Sequence, residues 1–163
     1  MDAVYYLCMG RVIFRYKTSI SYNTETDFFA YEGTFLLTDG VPQQVVAKVK
    51  PRKLKEILLN GRVHEKLADH VGAFPVVIVV PDDTQLIKEG SEERRRFMDN
   101  TLSQSDPRYL AALLLYNKIL KQRNALLKSS HGQAVPESLL SIYDQQLQVP
   151  ASFIYERRRA FCD

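Results

Sequence analysis

The alternation of apolar and polar positions changes period partway along the chain. Residues 2–9 are almost wholly apolar and end at Gly10, a helix closed by a glycine. Residues 11–27 are polar and irregular. Phe29, Tyr31, Gly33, Phe35 and Leu37 then alternate with Ala30, Glu32, Thr34 and Leu36, the period of two expected of a strand. Thr38-Asp39-Gly40-Val41-Pro42 has turn chemistry. Val45, Ala47 and Val49 alternate with Val46, Lys48 and Lys50, which predicts a second strand with a basic outer face. Ile57-Leu58-Leu59 leads into Asn60-Gly61, a strong two-residue hairpin signal. Residues 28–63 therefore read as an antiparallel meander. A short helix is expected over 66–71, stopped by Gly72. Residues 75–80 (PVVIVV) are apolar on both faces, as in a central strand covered by helices.

Beyond residue 90 the period is helical. Asp82 and Gln85 have capping-box spacing, and Ser91 with Glu92 and Glu93 predicts a helix start with acids at its positive end. Ser105-Asp106-Pro107 places a cap before a proline at the first helical position. Tyr109, Leu113, Tyr116, Leu120 and Leu127 recur on a heptad beat, with Arg123 in the remaining seam slot. After a loop at 129–135, Pro136 opens a last helix. There Leu140, Tyr143, Leu147, Ile154 and Phe161 keep the same beat, with Pro150 and Arg157 in the other slots. Two such helices joined by a short polar loop form an antiparallel helical hairpin. Pro150 is expected to kink or split the second arm. The fold class is thus α/β (α+β): residues 1–90 form a lobe of helix, meander and buried strand, and 91–163 form a helical arm.

Composition adds bounds. The chain has 163 residues, 45% of them hydrophobic and 25% charged, enough for a buried core. Its net charge of +3 permits an anionic partner without demanding one. No stretch approaches a membrane span, and the acidic, tyrosine-bearing start is a poor signal peptide. Cys8 and Cys162 lack metal-like spacing and suit a reduced, cytoplasmic setting. His64, His70 and His131 sit at no ligand spacing and read as ordinary surface or helix-end residues. Neither a G-x-x-x-x-G-K-[ST] loop nor G-x-G-x-x-G occurs.

Charge is clustered. Asp82 and Asp83 follow an apolar strand, where α/β proteins place ligands. Helix capping accounts for the same two residues. Arg94, Arg95 and Arg96 cover about 300° of a helix and cannot share one face. They serve oxyanion contacts or bridge to Glu92, Glu93 and Asp99. Lys48, Lys50, Arg52, Lys53 and Lys55 make one basic stripe, Lys118, Lys121, Arg123 and Lys128 a second, and Arg157-Arg158-Arg159 a third. Such stripes can track a phosphate backbone, although a solvated face explains any one of them.

The stretch VVIVVPDDTQLIKEGSEERRRFMDNTLSQSDPRYLAALLLYNKILKQRNALLK resembles the RecF family of DNA replication and repair proteins. DAVYYLCMGR resembles the family's helix after the phosphate-binding loop, and LLNGRVHEKLADHVGAFPVV its hairpin and following strand. GRVIFRYKTSIS departs from the family pattern, so no arginine role is carried to Arg11 or Arg15. The resemblance implies part of an ABC-type ATPase head related to those of SMC and Rad50 proteins. The implied parent binds ATP and Mg, dimerises on ATP, binds gapped or junction DNA, and helps RecO and RecR load RecA at gaps. The phosphate loop, signature and Walker B motifs are missing, so the chain is expected to be an internal segment that does not hydrolyse ATP alone. By the same resemblance, Pro81, Asp82 and Asp83 form a strand end that senses nucleotide state. Arg94, Arg95 and Arg96 lie on the helix that couples it to the arm, and Lys48, Lys50, Lys118, Lys121, Arg123 and Lys128 contact DNA. Two other readings are a stand-alone helical interaction module, with an apolar strip exposed along 109–127 and 140–161, and a metal-dependent phosphodiesterase on Asp82 and Asp83 with Glu65, Asp69 or Asp99.

Overall fold

In a computed structural model the described residues are 2–10, 29–50, 54–64, 66–78, 90–130 and 134–163. The chain divides into two compact units, Met1–Val80 and Pro81–Asp163.

The first unit is one helix on a four-stranded antiparallel sheet. Helix α1 spans Asp2–Met9, and strands β1 (Phe29–Leu36), β2 (Pro42–Lys50), β3 (Leu54–Leu59) and β4 (Arg62–Val63) lie in the order β1-β2-β3-β4. This is the meander expected from the period-two pattern. Register follows from burial. Tyr31, Ala47 and Ile57 lie in one cross-strand row, and Gly33, Val45 and Leu59 in the next, so the apolar set faces one way. Val45 and Ala47 are fully buried there with Ile57, Phe29 and Val49. Strand β1 stops at Leu36, and Leu37, expected on the inner face, is exposed.

Two glycines seat α1 on this face. A Cβ at Gly33 would lie 2.8 Å from the Leu7 Cδ1, so the bare backbone lets the helix approach. Gly10 adopts φ 62° and its N–H donates to the Tyr6 carbonyl at 2.7 Å, the left-handed cap read from the sequence. Asn60 (φ 50°) and Gly61 (φ 78°) make the tight β3–β4 turn. The expected 66–71 helix is a single 3₁₀ turn at Leu67–Asp69. It delivers His70, wholly buried, whose Nε2 donates to the Leu7 carbonyl at 2.5 Å. Burial pushes the His70 imidazole below its ordinary value, outweighing that hydrogen bond.

The buried strand expected over 75–80 is not found in its described part. Residues 75–78 belong to no strand of the described sheet, and Val77 is 79% exposed. A segment apolar on both faces becomes a central strand only with a strand on each side, and the sheet β1-β2-β3-β4 does not include it.

The second unit is helical: α2 (Ser91–Ser105), α3 (Pro107–Ser129) and α4 (Glu137–Cys162). Gly90 takes the N-cap position of α2, so Ser91 is its first helical residue rather than its cap. Asp106 is a one-residue corner. Its N–H donates to the Leu102 carbonyl, closing α2, and its Oδ1 accepts from the Arg108 N–H at 2.9 Å, opening α3. Pro107 follows at the first helical position, as expected. Tyr109, Leu102 and Ile154 form the core of this unit, with Leu113, Tyr116 and Phe153 against them. Helix α4 is not split at Pro150. The ring costs one backbone hydrogen bond, but Pro150 is buried and helix continues from Glu137 to Cys162. Among the described residues no helix is long and apolar enough to cross a membrane.

Candidate nucleic-acid interface

The arginines of the helical unit fall into two groups, those that hold helices together and those that face solvent. Arg158, on α4, reaches Asp99 on α2 with both ends of its guanidinium. Nε donates to Oδ1 at 3.0 Å, and Nη2 donates to Oδ1 and Oδ2 at 2.8 and 2.9 Å. Tyr109, from α3, donates its hydroxyl to Asp99 Oδ1 at 2.5 Å and accepts from Arg158 Nε at 3.2 Å. One carboxylate, one phenol and one guanidinium thus join three helices. Burial, and then the Asp99 carboxylate, push the Tyr109 hydroxyl up to about 12. Burial works against the charge of Arg158, but its hydrogen bond to Asp99 wins and raises its pKa further. Beside this cluster, Asp106 Oδ2 pairs with Arg157 Nη2 at 3.4 Å and Oδ1 with Arg108 Nε at 3.3 Å. Burial disfavours the Asp106 charge, yet hydrogen bonds and charge from Arg108 and charge from Arg157 hold the carboxyl below its usual range.

The third basic stripe therefore does not form a surface track. Arg157 and Arg158 turn inward onto Asp106 and Asp99, and only Arg159 of the three is exposed. Arg123 occupies the seam slot read from the heptad and donates through Nε to Asp144 Oδ1 at 2.8 Å across the hairpin. Arg96 is tied to Glu93 at 2.9 Å and to Glu92 at 3.7 Å, whereas Arg94 and Arg95 are exposed on α2. Asp99 goes to Arg158 rather than to these arginines.

Lys118, Lys121 and Lys128 remain exposed on α3. At 100° per residue they fall within an arc of about 80°, and about 15 Å of helix axis separates the first from the last. That is one basic face. In the sheet unit Lys48 is exposed on the outer face, across from Glu56 on β3. The side chain of Lys50, and Pro81, Asp82 and Asp83 entirely, lie outside the described residues. So do Glu65 and the capping-box pair Asp82 and Gln85. Of the carboxylates suggested for a phosphodiesterase, Glu65, Asp82 and Asp83 lie outside the described residues, Asp99 is held by Arg158, and among the described residues no three His, Cys, Asp or Glu side chains form a metal-binding group.

The sequence pattern missed two constellations. The Asp99–Tyr109–Arg158 cluster was hidden because Tyr109 reads as a seam apolar residue and Arg158 as one of a solvent-facing run. His64 and His70 sit at no ligand spacing in the sequence, but the β3–β4 turn and the 3₁₀ turn bring their rings to 5.3 Å between centres.

The fold and its surface define a mixed α/β chain, a helix-on-sheet unit followed by a helical hairpin with one basic face. No family model matches it. Whole-chain relatives are nevertheless clear. The chain is 38% identical over 161 residues to the DNA replication and repair protein RecF of Bacteroides fragilis, covering 99% of this chain and 43% of that protein. It is 37% identical over 164 residues to RecF of Flavobacterium johnsoniae, covering all of this chain and 45% of that protein. Two solved structures of the recombination mediator protein RecF in the RecFOR pathway, one with ATP and one as RecF-ATPrS, superpose with a TM-score of 0.90 at 31% identity, over 99% of this chain and 43% of theirs. The chain is homologous along its whole length to a stretch of RecF, and spans less than half the length of these relatives.

Proposed function

We propose that this chain serves as the sheet-and-arm portion of a RecF-type DNA replication and repair protein. That protein binds ATP and Mg, dimerises on ATP, engages gapped or junction DNA in the cytoplasm, and assists RecA loading together with RecO and RecR. The observation that carries this reading is the whole-length likeness to RecF in both sequence and fold. In it, Lys118, Lys121 and Lys128 on α3 and Lys48 and Lys50 on β2 contact the phosphate backbone without reading sequence. Arg123 contributes less, because Asp144 already holds it. Pro81, Asp82 and Asp83 respond to nucleotide state, and α2 with Arg94, Arg95 and Arg96 passes that response to the arm. The two acids within reach of Arg96 support such a role, since a helix with alternative ion-pair partners can be reseated at small cost.

The test is fluorescence anisotropy of a labelled gapped duplex over a salt series. Saturable binding with a log–log slope worth several phosphate contacts is expected. Lys118→Glu with Lys121→Glu should weaken it about tenfold or more and flatten the slope by about two contacts, and Lys48→Glu by about one. Binding unchanged by these reversals would refute the assigned face.

A specific observation favours a second reading, an interaction module acting through the hairpin. Leu114 and Leu115 on α3 and Leu139, Ile142 and Val149 on α4 are each about half exposed or more. Self-association that survives high salt and is lost in Leu115→Glu or Val149→Glu would support that reading.

A further inference from the structure

His64 and His70 come from different turns and meet edge to face, their ring centres 5.3 Å apart and their planes at 65°. Each ring has a buried nitrogen without a hydrogen-bond partner among the described residues: Nε2 of His64 and Nδ1 of His70. His70 is wholly buried. A buried polar atom left unmatched is costly, so two of them side by side mark a place for an occupant.

We propose that Nε2 of His64 and Nδ1 of His70 are the two protein ligands of a binding site for a divalent first-row transition-metal ion such as Zn²⁺ or Co²⁺. Three features support it. First, His70 Nε2 donates to the Leu7 carbonyl, so this nitrogen carries the proton. The lone pair is thereby fixed on Nδ1, in the arrangement by which ligating histidines are oriented by a backbone acceptor. Secondly, the ring spacing fits. Two imidazoles sharing a tetrahedral ion at about 2.0–2.1 Å per nitrogen hold their ring centres about 5 Å apart. Thirdly, there is a way in. His64 is only partly buried and lines a groove of about 570 Å³ with Leu59, Asn60, Arg62 and Val63. No third His, Cys, Asp or Glu joins the pair among the described residues. Water or an exogenous anion can take the remaining positions, an anion being favoured by Arg62 on the same groove. Imidazole ligands suit Zn, Co, Ni and Cu rather than Mg or Ca. Such an ion would fasten α1, through His70, to the turn after β4.

The experiment uses the full chain, stripped with a chelator and titrated with CoCl₂ and, separately, ZnCl₂ at neutral pH. Saturable visible ligand-field absorption from Co²⁺ is expected. A hundredfold excess of Zn²⁺ over its Kd should raise the melting temperature by roughly 5–10 °C. His64→Gln, at a partly exposed position that keeps the fold, should lose both responses with an unchanged circular dichroism spectrum. Absence of the Co²⁺ absorption in the parent chain would overturn the proposal. So would equal responses in His64→Gln, since the ion would then sit elsewhere, for instance on the exposed thiol of Cys162.

Discussion

Replacing Arg158 by methionine keeps the aliphatic stem and removes the guanidinium. Among the described residues, Asp99 then keeps the Tyr109 hydroxyl as its hydrogen-bond partner. Exposed ion pairs contribute about 0–1 kcal/mol, whereas stripping one partner from a fully buried pair costs about 3–5 kcal/mol. The Arg158 and Asp99 side chains are 25% and 19% exposed, so this pair lies between those limits. Three charge-assisted hydrogen bonds in bidentate geometry place it in the upper part of the range, and a loss of about 2 kcal/mol is expected for Arg158→Met. Asp99→Asn should cost a similar amount. The double variant should cost at least about 1 kcal/mol less than the sum, because the Arg158–Asp99 pair can be lost only once. Arg158→Lys should not restore the loss, since an ammonium cannot span both carboxylate oxygens. Urea unfolding followed by circular dichroism reads all four proteins. Single variants within about 0.5 kcal/mol of the parent, with additive costs, would refute the view that this cluster pins α4 to α2 and α3.

Gly10→Ala should destabilise the sheet unit by about 2 kcal/mol or more in thermal unfolding, because φ is 62° and the new Cβ lands on Leu67 Cδ1 and 2.9 Å from Ile57 Cδ1. Asp106→Ala should lower helicity and the melting temperature by removing the cap of α3 and two arginine partners at once; Asp106→Asn, which still accepts from the Arg108 N–H, should recover part of the loss. Tyr109 has its folded pKa raised from 10.0 to about 12, so its contribution is complete below pH 10 and disappears as pH climbs towards 12. Tyr109→Phe should flatten that alkaline loss of stability in a pH series of melting curves, apart from what Tyr6, also raised to about 12, contributes in the sheet unit.

Local rules carried most of the architecture. The meander, its Asn60-Gly61 turn, the Gly10 cap, the Asp106-Pro107 corner and the heptad seams depend on residues near one another in sequence, and each was legible there. Residues 75–78 show where that reasoning stops. Their composition reports that both faces suit burial, but whether they pair depends on a neighbouring strand that composition does not supply. The charged sites failed in the same direction. A run such as Arg157-Arg158-Arg159 gives no sign of which guanidinium meets a carboxylate 59 residues away, and two histidines six positions apart meet only because a turn lies between them.

The sheet order β1-β2-β3-β4 repeats the order of the chain, and the helical hairpin likewise joins neighbours. Almost every pairing closes a short loop. Two closures are long: the Leu7–His70 bond spans 63 positions, and the Arg158–Asp99 pair that seats α4 on α2 spans 59. Loop-closure entropy grows with that separation, and low contact order favours fast folding. The meander and the hairpin can each assemble as soon as their residues leave the ribosome. Docking of α1 on the sheet, and closure of α4 onto α2, are left as the late, slow events, and as the first contacts to open when amide protons exchange with solvent.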